Sequence, residues 1–339
     1  MQMSVPQMRV AILGCNEVAL TAEKLSALLK CVPSAEEIEL VLSTIESELA
    51  DGGAPPALGL AESFVKEVGA IPRLQERLES IHFKSRFAQE LQALYADAMA
   101  VSVACDEARE SEALQRLLGV VLRAGNMLNS GTFRGDAQGV KLECLTRLVE
   151  LKSVQPGGAK SDLLSVCLHA LAPQLPTATD GAVGAAAGVD TAAADHTRVR
   201  AEADALVLEL GSARNAAKVC MTSLNEDVGL FEAGFKRVEE ELRVGRAEGG
   251  TVDGGQFERA MGLFCGQAGT QVRGLRAELS RVEEEFAELR VYFGEDDGVS
   301  VSDFFARLSA FVSQLEAISA RCASAASALG AKRQRTGGD

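Results

Sequence analysis

Leu275-Arg-Ala-Glu-Leu279-Ser-Arg-Val282-Glu-Glu-Glu-Phe286-Ala-Glu-Leu289-Arg-Val-Tyr-Phe293 repeats an apolar side chain in steps of four and three residues. On a helix that turns every 3.6 residues this spacing keeps one continuous apolar stripe, a heptad seam. A second seam precedes it, through Leu206, Leu210, Ala213, Ala217, Cys220, Leu224, Val228, Phe231, Phe235, Val238 and Leu242. Read as one helix, those residues span about 55 Å at 1.5 Å per residue. The glycine-rich turn at 244–255 lets the two seams run antiparallel. No strand-like alternation competes with them. The fold expected is therefore all-α, an elongated helical rod or bundle with long antiparallel coiled-coil-like helices.

The rest of the chain divides at proline and glycine. Pro33-Ser34-Ala35-Glu36-Glu37 sets a serine three residues before a glutamate, a capping box that starts a helix. Asp51-Gly52-Gly53-Ala54-Pro55-Pro56 reads as a loop. Pro72 opens a helix over 72–98, with Leu74, Leu78, Ile81, Phe83 and Phe87 as its apolar side. From Ser111, the residues Leu114, Leu117, Leu118, Val121 and Leu122 form another helical face, and a helical period resumes at 141–153. Residues 173–197 hold Pro, Thr, Ala and Gly with almost no large side chain, and are expected to be a flexible connection. A last amphipathic helix is expected over 302–328, followed by a frayed tail at 329–339 whose Lys-Arg-Gln-Arg reads as a solvated end.

Composition narrows the function. The 339 residues are 47% hydrophobic and 24% charged, with a formal charge of −14 and no tryptophan. So acidic a chain is a poor non-specific binder of nucleic acid or anionic lipid. Charged residues interrupt every apolar run well before the roughly 20 residues needed to insert into a bilayer, and the first residues lack the pattern of a secretory signal. The eight cysteines are dispersed without a CxxC pair, and His82, His169 and His196 stand alone, so no metal site is expected and the cysteines read as small core residues. No GxxxxGK, GxGxxG, HExxH or GxSxG is present, which leaves no catalytic residue and no cofactor to name.

One segment has physics of its own. Gly125-Asn126-Met127-Leu128-Asn129-Ser130-Gly131-Thr132-Phe133-Arg134-Gly135-Asp136-Ala137-Gln138-Gly139-Val140-Lys141-Leu142 joins two helical stretches. Its two asparagines and four glycines suit a shaped turn, in which Asn side chains bond backbone groups and Gly takes positive φ. Across 111–160 the basic residues number seven and the acidic ones four, a locally positive face on an acidic protein and a docking surface for an acidic partner.

The pattern Gly-Asn-x-x-Asn-x-Gly, then Arg-Gly-x-Ala-x-Gly-x-Lys-Leu, then Leu145, Leu148 and Leu151-Lys152-Ser153 closely resembles the signature of the formin homology 2 domain. Three more stretches agree in order. They are Val32-Pro33 to Leu40, Ile71-Pro72 through Ile81-His82-Phe83 to Phe87, and Tyr292-Phe293-Gly294-Glu295-Asp296 followed by Asp303-Phe304-Phe305. The resemblance covers residues 8–328 as a single domain, with 8–110 as knob part and following helices, 111–172 as the post motif region, 173–197 as the connection and 198–328 as long helices.

The resemblance implies a non-catalytic actin-binding module, cytoplasmic and associated with the actin cytoskeleton, that nucleates filaments or modulates growth at the barbed end. Its partners would be actin, as monomer and at the filament barbed end, and another formin chain whose lasso encircles the post. Lys141 matches the family's actin-contacting lysine, and Arg134 and Lys152 are further candidates. Gly125, Asn126, Asn129, Gly131, Gly135, Gly139 and Leu142 fall in the motif that shapes the post for dimerisation; turn formation alone accounts for them equally well. Against the family pattern, the lasso, linker and first knob helix have no counterpart before Met8. The alternative reading is a helical scaffold that oligomerises through its heptads without touching actin.

Overall fold

The computed structural model describes residues 3–50, 58–152, 161–171, 187–247 and 255–336. The helices are α1 (Val5–Leu13), α2 (Ala22–Leu29), α3 (Ala35–Ala50), α4 (Leu60–Val68), α5 (Leu74–Glu110), α6 (Glu112–Leu128), α7 (Glu143–Arg147), α8 (Leu163–Leu171), α9 (Ala187–Glu209), α10 (Ala213–Ala216), α11 (Met221–Ala247), α12 (Gln256–Tyr292) and α13 (Val301–Thr336). The only extended pairing among the described residues is one isolated antiparallel bridge, Lys152 with Asp162, so the fold is all-α as expected. No helix among them is long and apolar enough to cross a membrane. The chain forms two compact units: residues 1–95 with 225–278, and residues 96–224 with 279–339.

In the first unit, α1, α2, the start of α5 and the facing halves of α11 and α12 enclose one core that includes Ile12, Leu20, Leu25, Leu78, Phe257 and Met261. Burial of side chains of this size contributes about 1.5–3 kcal/mol each. An aromatic cluster continues the core: Phe87 stacks on Phe231 at 5.2 Å and meets Phe264 edge-on at 5.0 Å. A Cβ on Gly234 would lie 2.6 Å from the Phe83 ring, so only glycine lets α11 approach there. Helices α11 and α12 run antiparallel, since Gly269 lies beside Phe235 and Gly245 beside Glu258. Arg276 reinforces the pairing by clamping Glu232 at 2.9 and 2.8 Å. The predicted capping box is present, with Ser34 N–H donating to Glu37 (2.8 Å) and Glu37 N–H to Ser34 Oγ (3.2 Å).

In the second unit α9 and α13 pack antiparallel; Asp204 meets Ser319, while Arg214 reaches Ser313 and Glu316. The buried face of α13 is Phe304, Leu308, Phe311, Leu315, Ile318 and Cys322, again in steps of three and four. Phe304 packs edge-on against Phe286 and Phe293 of the α12 seam.

Several expectations need correction. The 275–293 seam is buried at each of its six positions. The 206–242 seam, however, belongs to three helices rather than one. The backbone leaves α9 at Gly211 and Ser212, and the Ser212 N–H and hydroxyl both donate to Glu107 at 2.8 and 2.7 Å. That interruption shifts the phase by one residue, so Ala216 and Val219 are buried in place of the predicted Ala217 and Cys220.

The expected flexible connection is already helical from Ala187. Alanine is the strongest helix former, and an Ala-rich start needs no core of its own once Val199 and Leu206 further along are packed. Residues 173–186 of that connection lie outside the described residues, as do the loop at 51–56, Ser153 and most of the 244–255 turn. The C-terminal helix likewise continues to Thr336, past the expected stop at 328. Helix resumes after the signature segment only as the short α7. Among the cysteines, Cys15, Cys105, Cys167 and Cys322 are buried, but Cys31, Cys144 and Cys220 are exposed.

Candidate functional site

The signature segment lies in the second unit and begins on α6. Ser111 caps that helix by accepting from Leu114 N–H (3.0 Å), and Glu209 accepts from the Ser111 hydroxyl (2.6 Å). Ala113, Leu114, Leu117 and Val121 bury one face and fix the helix in its unit. The helix ends at Leu128, where Asn129 N–H still donates to Gly125 O (3.0 Å).

A loop then folds back on itself. The Asn129 carbonyl accepts from Thr132 N–H (3.0 Å) and from the Thr132 hydroxyl (2.7 Å). Asn126 closes the loop with a two-point amide clamp: its Oδ1 accepts from Ala137 N–H (2.8 Å) and its Nδ2 donates to Ala137 O (2.9 Å). Gly131 takes φ +75°, and a Cβ on Gly135 would lie 2.9 Å from the Asn129 carbonyl oxygen. Asp136 also sits at positive φ (+58°), in the left-handed region that Asp tolerates better than most residues. Gly125 and Gly139 face open space, so the chain itself does not require glycine there. The shaped turn read from the sequence is thus present, carried by Asn126, Asn129, Gly131 and Gly135.

The far end of the segment is held by residues distant in sequence. Leu142 is buried, and its N–H donates to Glu295 Oε1 (3.0 Å). Arg307 donates to the other oxygen of that carboxylate (2.9 Å), and the Glu295 side chain is only 2% exposed. Lys141 Nζ pairs with Asp296 at 3.1 Å; the two side chains are 50% and 82% exposed. The hydrogen bond to Asp296, with its charge, raises the Lys141 ammonium pKa, and Glu295 and Glu143 add to the effect. Glu295 and Asp296 lie in the turn after α12, where Gly294 adopts φ +63°.

The three candidate cations have different settings. Arg134 is exposed on the loop, with its guanidinium over the Phe133 ring at 5.3 Å, and Phe133 itself is 92% exposed. Lys141 is at the braced base. Lys152 is exposed beyond α7, with its backbone in the bridge to Asp162. The local excess of positive charge is smaller than residue counting implies, because Lys141 pairs with Asp296 and Arg116 faces Glu202 at 3.8 Å. Glu295 and Asp296 entered the sequence reading only as part of a stretch that carries the family resemblance, and neither they nor Arg307 were named as site residues. The run Gly294-Glu295-Asp296-Asp297 was their signal, an acidic turn after a seam helix that calls for a cationic or N–H partner.

The Formin Homology 2 Domain family pattern matches residues 1–316, beginning at residue 1 rather than 8 and ending at 316 rather than 328. Formin-like protein 20 of Arabidopsis thaliana is 27% identical over 295 residues, 87% of this chain and 16% of that protein. Formin-like protein 6 of Oryza sativa subsp. japonica is 28% identical over 295 residues, 87% of this chain and 19% of that protein. For Formin-like protein 21b of Arabidopsis thaliana the identity is 26%, covering 87% of this chain and 64% of that protein. The chain therefore spans less than a fifth of the first two relatives and under two thirds of the third. With a family match over nearly its whole length, a helical fold and a signature loop closed by its own asparagine and glycines, this chain belongs to the formin homology 2 family.

Proposed function

We propose that this chain is an actin-assembly module of formin type, one that binds actin and nucleates filaments or modulates their growth at the barbed end. The observation that carries the reading is the family match together with the signature loop, which offers the exposed Arg134 and the half-exposed Lys141 from a braced backbone. Such a module makes and breaks no bond. It lowers the cost of assembly by holding actin subunits in filament-like register, a preorganisation effect. Lys141, Arg134 and Lys152 supply the cationic contacts. Met127, Leu128 and Phe133, large apolar side chains left exposed around the loop, form the seat for another formin chain's lasso. The alternative of an oligomerising scaffold loses support, since the seams that would carry it are already buried within the chain at every position but Ala217 and Cys220.

The test is actin polymerisation with the purified chain, with and without filament seeds. Faster spontaneous assembly or slower seeded growth is expected, and Lys141→Asp weakens either effect with helicity unchanged. Curves identical to actin alone would refute the proposal.

A further inference from the structure

We propose that Asp296 is a positioning residue for the partner contact made by Lys141, occupying the ammonium in the free protein and giving way to a carboxylate of the bound protein. This rests on the reading of Lys141 as a contact to actin.

The geometry makes the pair preformed. Leu142, the next residue after Lys141, is tied to Glu295, the residue before Asp296, by a 3.0 Å hydrogen bond from a buried N–H. The backbones that carry the lysine and the aspartate are thereby held against each other. The acidic turn is itself fixed, since Glu295 N–H donates to Arg290 O and Val299 N–H to Asp296 O, each at 3.0 Å. Asp296 meets Lys141 at 3.1 Å, yet both side chains remain largely in solvent.

An exposed pair of this kind orders the lysine but is easily exchanged. The charged groups that raise the Lys141 ammonium pKa are the carboxylates of Asp296, Glu295 and Glu143. Of the three, Asp296 alone lies within ion-pairing distance of it. Removing the Asp296 charge leaves the lysine in place without its ion-paired competitor.

The experiment measures affinity for actin filaments by co-sedimentation, at low and high salt, for the full chain and for Asp296→Asn, Asp296→Glu, Lys141→Ala and the Lys141→Ala/Asp296→Asn double variant. Asp296→Asn is expected to bind about two- to fivefold tighter at low salt, the size of one exposed charge interaction, with the gain shrinking as salt screens it. Asp296→Glu should return to the wild-type value. In the double variant the gain should vanish, because the aspartate acts only through the lysine. NMR titration of the Lys141 ammonium should show its raised pKa fall back in Asp296→Asn. If Lys141→Ala weakens binding but Asp296→Asn does not strengthen it, or strengthens it equally without Lys141, this inference fails and the actin contact stands. If Lys141→Ala binds as wild type, both the contact and the inference fall. A chain that does not bind actin overturns the proposed function and this inference with it.

Discussion

Replacing Glu295 with alanine removes a carboxylate that serves two distant parts of the second unit at once. Its Oε1 is the acceptor for the buried Leu142 N–H, and its Oε2 receives Arg307. A buried N–H left without an acceptor costs about 1–3 kcal/mol. Arg307 is about one-third exposed and regains water on losing its partner, so that half adds only about 1 kcal/mol. The expected loss is therefore about 2–4 kcal/mol, concentrated where the signature segment meets the acidic turn. Glu295→Gln keeps an oxygen for the Leu142 N–H and gives up only the charge, so about 1 kcal/mol is expected.

Amide hydrogen exchange resolved to residues 139–145 reads this locally, since exchange there reports the free energy of opening. At 1.36 kcal/mol per factor of ten, Glu295→Ala should speed exchange about 30- to 1,000-fold and Glu295→Gln about fivefold. Wild-type exchange in both variants would refute the brace. Equal acceleration in both would show that the charge pair with Arg307, and not the acceptor for Leu142, holds the segment.

Three further outcomes are expected. Asn126→Ala removes both bonds to Ala137 and should open the loop by about 1–2 kcal/mol, making residues 127–137 a site of rapid limited proteolysis while α6 stays helical; Asn126→Asp, which retains one acceptor, should fall between. Burial, with Glu285 and Asp106 adding to it, pushes the Cys105 thiol from 9.0 up to about 12, so alkylation at pH 9 should label exposed Cys31 and Cys144 and spare Cys105. Above the ordinary thiol pKa the unfolded chain releases this proton and the folded one retains it. The Cys105 contribution to stability is thus complete below pH 9 and declines as pH rises toward about 12, which denaturant unfolding of wild type against Cys105→Ala checks.

Much of the fold was legible in the sequence because it is encoded between near neighbours. The seam from Leu275 to Phe293 needs only its own spacing, and all six residues are buried as read. Ser34 and Glu37 declare a helix start from three residues apart, and Ser111 caps α6 where the pattern begins. Asn126, Gly131 and Gly135 signalled a shaped turn because amide side chains and missing Cβ atoms act on backbone within the same loop.

What the sequence determined by itself was an all-helical chain with a closed glycine–asparagine loop flanked by cations. Only tertiary structure decided where the long seam breaks, because the break at Gly211–Ser212 depends on a carboxylate at Glu107, 105 residues away. It also decided the setting of the candidate cation: Lys141 reads as free positive charge until the chain brings in Asp296 from 155 residues away and Glu295 fixes the neighbouring backbone. Periodicity, capping and turn formation act over a few residues and leave a local pattern. A charge pair closed across half the chain leaves at most an acidic turn that does not name its partner, because its energy exists only once packing has brought the two segments together.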